Sequence, residues 1–292
     1  MTISAEIILD SLHPNGKDRI TTMRVTYPRL VHSEHLRHRM FSMNASSSRA
    51  IPFKKFAKWV GEDPALFVEW GKNQPGMSAR TLLSADDASL CKMLWLRARD
   101  QMVEIATQMD EVGLSKQCVN RLLEPFHHIT VIQTGNAAAY ANFFALRCHQ
   151  DAQPDIREMA CAQLRAYHAS TPRKLEWGQW HTPFVSDTEA ANLFPEDACR
   201  ISAARCARTS YLTFDGENPD PVKDLALFEK LVGSDPKHCS PVEQQARAYH
   251  KTDETPKGGN LGPAWVQFRK TIPNEAATEI PAYAYEMAGI QR

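Results

Sequence analysis

Arg37, His38 and Arg39 stand side by side at the end of ITTMRVTYPRLVHSEHL (residues 20–36), a run of β-branched and aromatic residues, and they force the chain out of any core that run enters. Adjacent cations repel one another and keep their water, so the run reads as one or two strands that the triplet closes. The residues that follow, Ser42, Asn44, Ser46, Ser47, Ser48 and Arg49, are rich in small donors and have no apolar period. They read as a loop that grips oxygen atoms. Guanidinium groups match phosphate bidentately and hydroxyls add short charge-assisted bonds, which suits a nucleotide or dinucleotide phosphate. A strand C-terminus is also where α/β proteins place ligands. Taken alone, such a triplet is more often a solvated basic turn.

The rest of the chain adds no global field for a polyanion. Lys+Arg and Asp+Glu number 34 each, so neither a nucleic-acid polymer nor an anionic membrane is favoured, and any anion site must be local. No stretch approaches the roughly 18 apolar residues of a membrane span. The start, MTISAEIILDSLHPNGKDR, lacks the basic segment and apolar run of a secretion signal, so a cytoplasmic protein is expected. Seven cysteines, Cys91, Cys118, Cys148, Cys161, Cys199, Cys206 and Cys239, are odd in number and never spaced as CxxC. They read as reduced, buried thiols without an activating context. His127 and His128 have no third ligand at a usual spacing, so no metal is expected.

Residues 84–112 carry apolar side chains near a 3.6 period, with Asp86 and Asp87 at the front and Gly113 behind, which predicts a long helix. Ser115 is expected to cap a shorter helix over 116–123 that Pro125 ends. Residues 127–134 read as a strand closed by Gly135, and the stretch after it as two helices split at Pro154. On an ideal helix Asn142 and Arg147 lie about 140° apart. Both can face one pocket only if it wraps the helix end or the helix bends. Residues 170–195, with Trp177, Trp180, Pro172, Pro183 and Pro195, form the expected boundary between halves, the tryptophans packing between them. Two further helices are expected over 197–212 and 220–232, then a mobile loop at DETPKGGN (253–260) and a strand-like segment at 262–275 ending its basic part in Arg269-Lys270. The expected division is 1–170, a connection over 171–195, and 196–292, packed as one catalytic unit.

The run from Arg37 resembles the signature of the flavin-dependent thymidylate synthases, RHRxxSxNExSxRY, at Arg37, His38, Arg39, Ser42, Asn44, Ser47 and Arg49. It departs at Ala45, where the family has Glu, and at Ala50, where it has Tyr. A second stretch is similar at Arg121, Asn136, Asn142 and Leu146-Arg147. A third is displaced: the family's AARVS-like segment and H-x-T-P-x-E-H flavin motif, which precede RHR in the family, resemble Ala203-Ala204-Arg205 through Ser210 and His238, Ser240, Pro241 and Glu243. The halves look exchanged, as in a circular permutation, which exposed loops tolerate. WVQFRK (265–270) resembles the strand by which the family enters RHR, so that strand is expected twice.

The resemblance implies an α/β (α+β) fold with a mixed or antiparallel sheet flanked by long helices. It implies conversion of dUMP to dTMP with methylenetetrahydrofolate as carbon donor, FAD as the hydride carrier and NADPH as reductant, in a homotetramer with shared sites. Carried over, Arg37, His38, Arg39, Asn136, Asn142, His238, Ser240 and Glu243 would contact FAD. Ser46, Ser47, Ser48, Arg49 and Arg121 would hold the nucleotide, with Glu34 standing where the family usually has Gln. Arg147 would be catalytic, facing the pyrimidine. Alternatives are a C5 hydroxymethylase of dUMP, a UMP C5 methylase, or an inactive flavin- or nucleotide-binding relative, because Ala45 and Ala50 interrupt the signature.

Overall fold

The alternation of Thr22, Arg24 and Thr26 with Met23, Val25 and Tyr27 gives the central sheet two unlike faces. That sheet joins β1 (Ser4–Leu12), β2 (Arg19–Pro28), β3 (Ser42–Ala45), β4 (His128–Asn136) and β5 (Arg173–Lys174) in the order β3-β4-β2-β1-β5, antiparallel except for the parallel β1–β5 pair. The computed structural model describes residues 3–76, 79–210, 220–250, 252–253 and 257–290. Its helices are α1 (His32–Leu36), α2 (Phe53–Glu62), α3 (Ala85–Glu111), α4 (Lys116–Val119), α5 (Ala137–Arg147), α6 (Pro154–Ala169), α7 (Asp187–Ala190), α8 (Pro195–Ala207), α9 (Pro221–Val232) and α10 (Ala282–Met287). The mixed sheet with flanking helices is the expected fold class.

On the apolar face, Met23, Val25, Tyr27, Ile129 and Val131 pack with Tyr140 and Phe143 of α5 and Ile156 and Met159 of α6. Pro154 opens α6, as its fixed φ favours at a first helical position. The opposite face is hydroxyl-lined: Thr22 and Thr134 share a 2.6 Å hydrogen bond, and Thr22 also meets the buried ring of His181, which reaches Ser11. His181 belongs to β6 (Trp180–His181), which with β7 (Ala246–Ala248) and β8 (Trp265–Gln267) forms a second, antiparallel sheet.

The second half is stitched to β3 by polar side chains. Gln267 Nε2 donates to Ser42 Oγ (3.1 Å), to Asn260 Oδ1 (3.1 Å) and to the Glu243 carbonyl (2.9 Å), while Asn44 donates to the Cys206 carbonyl (2.5 Å). Ser42 and Asn44 therefore face the second half, and Met43 and Ala45 face the core. The first part of the expected oxygen-gripping loop is instead a strand, because Ser42 and Asn44 are satisfied internally and β3 pairs with β4 from Ser42 to Ala45, while Ser46 to Arg49 lie beyond it. Nor does the triplet close a strand. β2 ends at Pro28, and a 3-10 turn (Arg29–Val31) and α1 intervene.

Other expectations shift by smaller amounts. Ser84 caps α3 through Asp87 N (3.2 Å), but Ser115 makes no side-chain cap. The helix it precedes stops at Val119 and continues as a 3-10 turn (Asn120–Phe126) that contains Pro125. Gly135 lies inside β4, where an added Cβ would sit 2.5 Å from the Phe41 ring. Of the loop expected to be mobile, residues 254–256 lie outside the described residues, as do Tyr211 and Leu212 of the helix expected over 197–212. The described part, Gly258 to Leu261, packs against β8, and a Cβ on Gly258 would meet the Gly262 carbonyl at 1.8 Å. The 262–275 segment is a strand only over Trp265–Gln267 and then turns. Cys199, Cys206 and Cys239 are buried as expected, but Cys118 is exposed and Cys91, Cys148 and Cys161 are half-buried.

α8 and α9 are joined through charge. Asp224, fully buried, accepts from Arg205 Nε (2.8 Å) and pairs with Arg208 (2.6 Å), and Arg205 also forks onto Glu189 (2.7 and 2.6 Å). Removing one partner of such a pair strands the other in a low dielectric. Asp224→Ala is expected to lower stability by about 3 kcal/mol, read by chemical denaturation. A change under about 1 kcal/mol would show that apolar packing alone holds α8 to α9.

Candidate active site

The position of the basic triplet is set by a buried polar chain. At the end of β2, the Tyr27 hydroxyl lies 2.8 Å from His32 Nδ1 and 2.7 Å from His35 Nδ1, both on α1. His35 Nε2 reaches Gln133 Oε1 (2.6 Å) on β4, and Gln133 Nε2 donates to Gln163 Oε1 (2.9 Å) on α6. Only one polarity satisfies this chain. Gln133 Oε1 is an acceptor, so His35 carries its proton on Nε2 and accepts from Tyr27 on Nδ1, and the Tyr27 oxygen then accepts from His32 Nδ1–H. Burial holds the His35 ring down to about 3 and the His32 ring to about 4, and pushes the Tyr27 phenol up. Neutral rings are what the chain requires.

One turn beyond α1, the triplet meets the end of α5. Arg147, the last residue of α5, donates from Nε to His38 Nε2 at 2.8 Å. The His38 ring therefore carries its proton on Nδ1. Burial, and then the Arg147 charge, lower it to about 4, and its edge rests on the Phe143 face at 4.8 Å. Around this pair opens a pocket of about 570 Å³, with Arg37, His38 and Arg39 on one side, Asn142 and Arg147 on another, and Asn260 from the second half. The pocket reaches around the helix end, which is how Asn142 and Arg147 both line it. Arg37 and Arg39 are exposed and have no ion-pair partner among the described residues. The pocket thus offers unneutralised cations beside an apolar floor of Phe41 and Leu146.

The remaining candidate residues gather elsewhere. Asn136 caps α5, accepting from Ala139 N (2.9 Å) and donating to the Leu261 carbonyl (2.8 Å), so it holds structure together and does not line the pocket. His238 and Ser240 are exposed on the second half, and Glu243 pairs with Arg269. None of these three lines the pocket. Glu34 accepts from Ser33 Oγ at 3.0 Å and also lies outside it.

Ser46, Ser47, Ser48 and Arg49 lie past the far end of β3, which by itself separates them from the triplet by about 13 Å. Ser46 pairs with Thr130 through both N and Oγ. Ser48 donates to Glu124 Oε1 (2.5 Å), which also accepts from Arg121 (2.7 Å), and Glu124 Oε2 pairs with Arg29 (3.2 Å). The described residues thus form two clusters at opposite ends of β3. Glu124, Arg29 and Asn260 were not singled out from sequence. For Glu124 the signal was present, three residues after Arg121, the spacing that lets the two meet on one turn.

The family model described as thymidylate synthase complementing protein matches residues 20–173, more than half of the chain. Among solved structures, that of a UMP/dUMP methylase, PolB from Streptomyces cacaoi, bound with 5-Br UMP is similar at 18% identity and a TM-score of 0.47, covering 57% of this chain and 88% of that one. The form bound with 5-Br dUMP is similar at 17% identity and 0.48, covering 57% and 90%. No curated protein sequence matches the chain. No described helix is long and apolar enough to cross a membrane.

The buried histidines set an acid limit. Burial lowers His35, His127 and His181 to about 3 and His32, His38 and His128 to about 4. Between those values and about 6.5, the unfolded chain binds protons that the folded rings refuse, so unfolding becomes easier as pH falls through this window. Stability is expected to be full near pH 7 and already reduced at about pH 5, above the usual carboxylate range. Denaturation midpoints at the two values test this. Equal midpoints would mean that the rings are not buried as neutral groups.

Proposed function

The chain belongs to the thymidylate synthase complementing protein family, and from that premise we propose that it is a flavin-dependent enzyme methylating C5 of a pyrimidine nucleotide, in its simplest form making dTMP from dUMP. The observation that carries this reading is Arg147. It stands at the pocket with no carboxylate partner among the described residues, and its Nε is spent on a neutral His38. Its terminal NH groups remain for a ligand. A guanidinium fixed against a pyrimidine carbonyl stabilises negative charge on the ring and so makes C5 nucleophilic toward a methylene donor.

Such activation needs no thiolate attack. Burial pushes the Cys148 thiol up to about 11 and raises Cys199, Cys206 and Cys239. No thiol among these four is prepared as a nucleophile.

The pocket residues fit one wall of a flavin site. Arg37 and Arg39 would take its phosphates, with His38 and Asn142 beside them, and the bound FAD would supply the hydride, with NADPH as reductant and methylenetetrahydrofolate as carbon donor. In one copy of the chain Asn136, His238, Ser240 and Glu243 do not line this pocket, Asn136 serving as a helix cap and Glu243 pairing with Arg269. The phosphate of the nucleotide would be held at the other cluster, by Ser47, Arg49 and Arg121. A complete site then takes its two ends from different copies of the chain, as a homotetramer would allow. Leu90, Met93 and Leu94 of α3, each about half exposed at 50%, 56% and 49%, offer an apolar face for such a contact.

A second reading rests on Ala45. It packs against the core beside Met43 and supplies no carboxylate, so the transferred group could be left as hydroxymethyl, or UMP could be the substrate.

Product analysis after incubation with FAD, methylenetetrahydrofolate, NADPH and either dUMP or UMP tests both. Thymidylate from dUMP is expected. A hydroxymethyl or UMP-derived product selects the second reading, and absence of both flavin spectrum and product overturns the proposal. Arg147→Ala is expected to lower kcat by about 10²- to 10³-fold while the flavin is retained. Undiminished turnover would remove Arg147 from its role.

A further inference from the structure

Glu124 sits where an anion would be welcome and is itself an anion. Its side chain is 17% exposed, on the 3-10 turn after α4. One carboxylate oxygen accepts from Ser48 Oγ (2.5 Å) and Arg121 (2.7 Å), and the other pairs with Arg29 (3.2 Å). The neighbouring Asn120 amide donates to the Ser48 and Ile51 carbonyls (2.7 and 3.0 Å), which seats the turn carrying Arg49 on the turn carrying Glu124. Arg49 is exposed and has no ion-pair partner among the described residues. Two guanidinium groups and a buried hydroxyl thus converge around a single carboxylate, with Arg49 on the adjoining turn.

We infer that Glu124 is the internal counter-anion of the nucleotide's phosphate site and sets its affinity. This rests on reading the Ser47–Arg49 and Arg121 end as the phosphate end. When the site is empty, the carboxylate keeps Arg29 and Arg121 from repelling one another and holds Ser48 and Arg121 in place. A phosphomonoester carries roughly −1.5 to −2 charge and three acceptor oxygens, so it competes for the same donors. The competition has a cost, because the displaced carboxylate stays close to the incoming dianion. Glu124 therefore weakens phosphate binding and eases release of a product that carries the same phosphate as the substrate.

The test is isothermal titration of the full chain with dUMP and with deoxyuridine. Glu124→Gln keeps shape and an acceptor while losing the charge, and Glu124→Leu serves where Gln disturbs folding. Either variant is expected to bind dUMP about tenfold more tightly, with deoxyuridine unchanged. Unchanged or weaker dUMP binding would overturn the inference, since Glu124 would then only position Arg121. Arg49→Ala separates the two levels of the argument. It should lose about tenfold in dUMP affinity. If it loses none, the phosphate does not lie here and both readings fall. If Arg49→Ala loses affinity while Glu124→Gln gains none, only the role of Glu124 falls.

Discussion

The hydroxyl of Tyr27 is the contact on which the geometry of the pocket depends. It is buried at the end of β2 and fastens both histidines of α1, the helix that leads directly into the basic triplet. Without it, a five-residue helix would have little reason to hold one orientation, since helices this short are marginal by themselves. Through Gln133 and Gln163 the same chain reaches β4 and α6, and the His38–Arg147 bond ties the triplet to α5. A buried hydrogen-bonded chain of this kind rigidifies, and its low dielectric makes any break expensive. His38 can therefore meet Arg147 at a fixed place although it lies in a short exposed connection.

β3 performs the opposite service. It is four residues long, and its alternation sends Ser42 and Asn44 to the second half and Met43 and Ala45 to the core. By running straight, it carries the chain from the triplet to the Ser46–Arg49 segment and so separates two clusters that the linear signature lists together. Residues that are neighbours in sequence can serve one pocket only if the chain turns back, and here it does not.

Helices were legible where apolar periodicity meets local caps. Ser84 with Asp86 and Asp87 marked the start of α3 and Pro154 the start of α6, and the helix expected over 220–232 is α9. The strand at Ser42–Ala45 was not legible, because its polar residues are satisfied by Cys206, Asn260 and Gln267, more than 160 positions away in the chain. Polarity that looks like a solvated loop in one dimension is an interior junction in three. The pairing of Arg147 with His38 was legible only as shared membership of a motif, since the helical spacing alone placed Asn142 and Arg147 on different faces. Asn136 shows the converse: its position fits a ligand motif, and its side chain serves as a helix cap.

The departures from the signature acquire a common direction once both clusters are in view. At Ala45 a carboxylate is absent and the position has joined the apolar face beside Met43. At Glu124 a carboxylate is present, tied to Ser48, Arg121 and Arg29. The two positions lie on neighbouring segments, β3 and the turn against which its continuation packs. Negative charge is thus withheld from the strand and supplied at the far cluster, where it pairs with Arg29 and Arg121. The triplet end keeps Arg37 and Arg39 uncompensated. The two ends of β3 thus carry different fields: open cations at the triplet, and at Glu124 a cluster partly neutralised by its own carboxylate.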